Sequence, residues 1–95
     1  MKNVPKAILN RVKELDLKAN HHALLLLLDN DTAFLEFRTN SSNAFLDTLI
    51  RWRRVELPAL YNSNVRFFIV SGNPGAKPNV LIKEEKFPLY KKRIL

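Results

Sequence analysis

The spacing of apolar side chains switches between a helical and a strand-like period along the chain, and each switch marks an element. From Asn3 to Lys18, Ile8, Val12 and Leu15 recur at helical spacing with Ala7 beside them, so one stripe faces a core. Pro5 suits a first helical turn, Asn3 is the N-cap candidate and Asn20 a stop. Ala23 to Leu28, one alanine and five leucines, is too uniform for periodicity to separate helix from strand; its length and polar flanks favour a buried strand. Asp29-Asn30-Asp31-Thr32 supplies turn chemistry. Ala33 to Arg38 then alternates, with Ala33, Leu35 and Phe37 on one side and Phe34, Glu36 and Arg38 on the other, which predicts a hairpin.

The second half repeats the alternation of elements. Asn40-Ser41-Ser42-Asn43 is a cluster of N-cap candidates. Ala44 to Tyr61 follows as a helix with Phe45, Leu46, Leu49, Ile50, Leu57 and Leu60 as its stripe, and Pro58 predicts a kink or an end near Glu56. Val65 to Val70 is a strand by composition, and its near-continuous apolarity predicts burial on both faces, as in a parallel strand under helices. Strand, helix and strand from Ala33 to Val70 would then form a right-handed crossover. Gly72 to Asn79 reads as a loop, Val80 to Glu84 as an edge strand, and residues 86–95 as a basic tail with apolar anchors.

Composition narrows the class. Ninety-five residues with a 46% hydrophobic fraction make one domain over residues 1–95, small enough that dimerisation would add useful burial. The absence of cysteine excludes disulfides and thiolate metal sites and fits a cytoplasmic setting. The longest apolar run, Ala23 to Leu28, falls far short of the ~20 residues a membrane span needs. Charge changes the picture most. The net charge is +7, made of +3 over residues 1–20, −3 over 21–50 and +7 over 51–95. Basic flanks around an acidic centre suit a polyanionic partner, DNA before RNA; the plainer reading is solubility.

The order α-β-β-α-β-β, with Glu36-Phe37-Arg38 on the second strand, resembles the core of the PD-(D/E)xK nucleases, and among them the archaeal Holliday-junction resolvases and virus-type replication-repair nucleases. The resemblance covers roughly residues 4–85, mostly as element order. It implies an α/β fold with a mixed central sheet and a restriction-endonuclease-like core. In that family an Asp opens the first hairpin strand and a Glu-x-Lys stands about fourteen residues later. Here His22 lies fourteen residues before Glu36, and Glu36-Phe37-Arg38 fills the Glu-x-Lys place. The implied catalytic pair is Glu36 and Arg38, and the implied metal set is Glu36, Asp29, Asp31 and His22 around a divalent ion, magnesium or manganese. Residues two apart on a strand share a side, so a carboxylate and a cation can meet one phosphate. His22 is a poor magnesium ligand, and Arg38 does not readily lose a proton, so the motif is weakened for cutting while still able to contact phosphate.

Other candidates for nucleic-acid contact are Arg51, Trp52, Arg53 and Arg54, where arginines suit bidentate phosphate binding and the indole could stack on a base. Trp52 packed on the sheet beneath a solvated arginine face is the plainer reading. Lys77 in the glycine-containing loop and Lys91, Lys92 and Arg93 in the tail complete the set; the loop lacks P-loop spacing. The expectation is a small basic nucleic-acid-binding protein, a homodimer, with metal-dependent cleavage left open. The alternatives are a protein-interaction module, such as an inhibitor or accessory subunit with a basic surface, and a purely structural subunit.

Overall fold

The computed structural model describes residues 4–28, 34–59, 65–73 and 80–85. Helix α1 (Lys6–Leu15) leads to strand β1 (His22–Leu27) and strand β2 (Phe34–Thr39). Helix α2 (Ser42–Arg51) runs on through a π-helical stretch (Trp52–Glu56) and a last turn (Leu57–Ala59), and strands β3 (Arg66–Gly72) and β4 (Val80–Glu85) close the order. The four strands form one sheet in the order β2-β1-β3-β4. Among the described residues no helix is long and apolar enough to cross a membrane.

Every pairing in this sheet is antiparallel, which corrects the expected mixed sheet. β2 and β3 do run the same way, since each is antiparallel to β1, but β1 lies between them and no parallel pair forms. The apolar run of β3 has another cause than a parallel neighbour. Helices cover the sheet on both faces, so a central strand is buried on both sides whatever its direction.

The two faces can be read from the core. Ala23, Leu25 and Leu27 of β1 join Ile8, Val12 and Leu15 of α1, together with Phe68, Val70 and Val80. Leu24 and Leu26 join Leu49, Trp52, Leu57 and Phe67 on the α2 side. Each buried leucine contributes about 1.5–3 kcal/mol relative to exposure. Because the side-chain period is two, a slip of one residue in β1 would exchange the two faces.

The helix ends follow local chemistry. The Pro5 carbonyl accepts from the backbone N–H groups of Ile8 and Leu9. The helix stops sooner than predicted, at Leu15, where Asp16 turns into the left-handed region at φ 48°; Asp tolerates that conformation better than most residues. Ser41 caps α2, its hydroxyl accepting from the Ala44 N–H at 3.2 Å. Pro58 does not end this helix at Glu56, since helical residues continue to Ala59. In an α-helix its ring would press on the Arg54 carbonyl, which would also lack a donor. The wider π turn makes room: the Leu57 N–H reaches back five residues to the Trp52 carbonyl.

Gly72 closes the far end of β3 against the link between α1 and β1. Its N–H donates to the His21 carbonyl at 2.9 Å. A Cβ at this position would stand 1.8 Å from the Lys18 carbonyl oxygen, a backbone atom that cannot swing away. Gly72→Ala is therefore expected to cost about 1–3 kcal/mol, the usual range for forcing an extra carbon into a packed site. Thermal unfolding should register this as a drop of about 4–8 °C per kcal/mol. An unchanged melting temperature would contradict the close approach.

Candidate functional site

The hairpin register decides how the predicted metal ligands sit. His22 pairs with Thr39, Ala23 with Arg38, Leu24 with Phe37 and Leu25 with Glu36. Directly opposed residues share a face. Glu36 and Arg38 therefore stand with Ala23 and Leu25 on the α1 side, as their spacing predicts. His22 stands with Leu24 and Leu26 on the α2 side. The sheet itself separates His22 from Glu36, and they do not converge on one ion.

Glu36 and His22 are each also committed to a neighbour. Arg11 of α1 donates from Nε and Nη2 to the two Glu36 carboxylate oxygens, both at 2.7 Å. This bidentate hydrogen bonding holds the Glu36 carboxyl below the usual carboxylate range, with the Arg11 and Arg38 charges adding to it and partial burial opposing it. His22 stacks on Phe45, with ring centroids 4.3 Å apart, and shares a 3.1 Å hydrogen bond between Nδ1 and the Ser71 hydroxyl. Among the described residues no three His, Asp or Glu side chains gather as a metal site. Asp29 and Asp31 lie outside the described residues, as do Lys77, Lys91, Lys92 and Arg93.

Arg38 lines a cleft of about 260 Å³ with Leu15, Asp16, Lys18, His21 and Asn40. The backbone N–H of Lys18 donates to His21 Nδ1 at 3.2 Å, which leaves Nε2 as the protonated nitrogen of the neutral ring. Lys18 is paired with Asp16 at 3.0 Å. Arg38 in this cleft makes no ion pair among the described residues and lies beside the Lys18–Asp16 pair.

The Arg51–Arg54 cluster divides. Trp52 is only 7% exposed and packs on Phe67 with centroids 5.6 Å apart, so the plainer reading of that indole is the observed one and it offers no face to a base. Arg53 donates to Glu85 of β4 through Nε and Nη2 at 2.7 and 2.6 Å, tying the π stretch to the sheet edge. Arg51 and Arg54 are exposed and make no ion pair among the described residues. A third bidentate clamp joins Arg66 of β3 to Glu84 of β4 at 2.8 and 2.7 Å, with the Arg66 guanidinium 5.4 Å from the Phe68 ring centre. Sequence reasoning missed these clamps, because Arg11 and Arg53 come from helical segments far along the chain from Glu36 and Glu85, and only the fold selects the partners.

No protein-family model, no curated protein and no solved structure matches the chain.

The Arg11–Glu36 pair predicts an acid-sensitive component of stability. Because the folded carboxyl titrates lower than the unfolded one, the contribution is complete above the unfolded value of ~4.3 and disappears as pH falls through the lower folded value. Denaturant unfolding at a series of acid pH values should show Glu36→Gln losing up to about 1 kcal/mol at neutral pH and falling less steeply in acid than the parent. Parallel curves would mean the pair contributes nothing.

Proposed function

We propose that this chain is a small nucleic-acid-binding module that contacts phosphates and performs no metal-dependent cutting. The observation that carries the reading is the division of the charges. Glu36, Glu84 and Glu85 are held in bidentate clamps by Arg11, Arg66 and Arg53. Arg51 and Arg54, three residues apart and both exposed, make no ion pair among the described residues. Neighbours at that spacing can meet adjacent phosphates, and the net charge of +7 supplies long-range attraction.

The cleavage half of the nuclease comparison is left out of this reading. The Arg11 guanidinium already balances the Glu36 charge, and His22 faces the other way, so the two do not form one ligand set. The relation to the PD-(D/E)xK nucleases stays in the proposal as element order, helix-strand-strand-helix-strand-strand. A second reading, the protein-interaction module, is supported by Leu46, Ile50 and Val55, which are exposed on the same helix as the arginines.

Fluorescence anisotropy with a generic duplex tests the first reading. Affinity should fall steeply between ~50 and ~200 mM salt, and Arg51→Glu/Arg54→Glu should weaken binding while lowering the salt slope by about 2. Absence of binding at low salt would hand the same surface to a protein partner. Incubation with manganese and branched DNA should give no cleavage in excess of that seen with Glu36→Ala. Cutting that depends on Glu36 would overturn the non-catalytic part.

A further inference from the structure

β2 lies at the edge of the sheet. Among the described residues it pairs with β1 on one side and with nothing on the other. Such a strand offers a row of backbone donors and acceptors to any chain that can match it. Natural edges are often guarded by a charge that repels a second copy. The edge of β2 carries two charges of opposite sign, Glu36 and Arg38, two residues apart on the same face.

We propose that two copies of this chain associate through β2, antiparallel about a two-fold axis at Phe37, extending the sheet across the interface. In a continuous sheet with this symmetry, residues facing one another must share a face, so the axis passes through a residue that meets its own copy. With Phe37 on the axis, Glu36 of each copy faces Arg38 of the other, and the pair occurs twice. Moving the axis by two residues would set Leu35 against itself or Thr39 against itself. Moving it by one would set Glu36 against Glu36 or Arg38 against Arg38. The charge pattern therefore selects one register.

The remaining side chains fit the same register. Phe37, half-buried on the α2 face, meets the Phe37 of the second copy, and aromatic cross-strand pairs are among the favourable ones. Leu35 is 47% exposed and comes to lie against Thr39 of the second copy, which covers it. Arg11 does not compete: its two bonds leave lone pairs on the Glu36 carboxylate for a second guanidinium. Arg38 is exposed and makes no ion pair among the described residues, so it is free to reach across. This inference does not depend on nucleic-acid binding, since Arg51 lies at the end of α2 and Arg54 in the π-helical stretch that follows.

Sedimentation velocity on the full chain over a range of concentrations tests it. The parent should show a concentration-dependent dimer. Arg38→Glu sets like charges opposite each other twice and should raise the dissociation constant by about tenfold or more. Arg11→Glu/Glu36→Arg preserves an opposite pair within the subunit while making the edge wholly basic, and should weaken self-association by a similar factor. An equimolar mixture of these two variants restores opposite charges at both positions and should dimerise again. Leu35→Lys, at an exposed position, should also weaken the dimer without touching either charge. A parent that stays monomeric throughout, an Arg38→Glu variant that dimerises like the parent, or a mixture no tighter than its components would each overturn the proposal.

Discussion

Five consecutive side chains of β1, Ala23 to Leu27, are out of contact with water. A strand presents alternate residues to opposite sides, so this run demands an apolar layer above and another below. The stripe of α1 supplies the first and the Phe45-Leu49-Trp52 side of α2 the second. The rest of the molecule is arranged by that demand. β1 must be interior to the sheet, which makes β2 and β4 its edges. The charged side chains of the sheet are then found on β2, on β4 and at the start of β3.

That constraint also explains how much could be read in advance. The elements announce themselves through local chemistry: the Ile8-Val12-Leu15 stripe, the Ser41 cap, the alternation from Leu35 to Arg38, and the β-rich run of β3. The strand neighbours do not. A buried strand under two helices has the same apolar run whether its neighbours are parallel or antiparallel, so the composition of β3 carried no information about the β1 strand inserted beside it. Pro58 was legible as a disturbance of the helix, but its outcome was not. The choice between ending and widening depends on whether Leu57 is needed in the core, and Leu57 is fully buried there. Burial favours continuing the helix, and the π turn is how it continues past the proline.

The candidate site shows the same division between local and long-range information. That Glu36 and Arg38 share a face follows from their spacing alone. What stands over that face does not, because the answer, Arg11, comes from an element twenty-five residues earlier. A carboxylate in a metal-ligand position and a carboxylate in a structural clamp have the same local sequence. The arginines behave likewise: Arg53 and Arg54 are neighbours in the chain, yet one is bound to Glu85 and the other is left in solvent. Basic clusters identify an excess of charge, and the fold decides which members of the cluster carry it outward.

The position of His22 turns on a finer point. Fourteen residues separate it from Glu36, an even number, and on one uninterrupted strand that would place both on the same side. A hairpin resets the phase. Here each β1–β2 pair joins an even-numbered residue to an odd-numbered one, so residues of equal parity on the two strands face opposite ways. A register shifted by one residue, with His22 opposite Arg38, would bring the imidazole and the Glu36 carboxylate to the same face. Spacing between motif residues on different strands therefore has chemical meaning only together with the register of the turn between them. In this chain the register places the His22 ring against Phe45 and Ser71 and the Glu36 carboxylate against Arg11, while Arg38 makes no ion pair among the described residues.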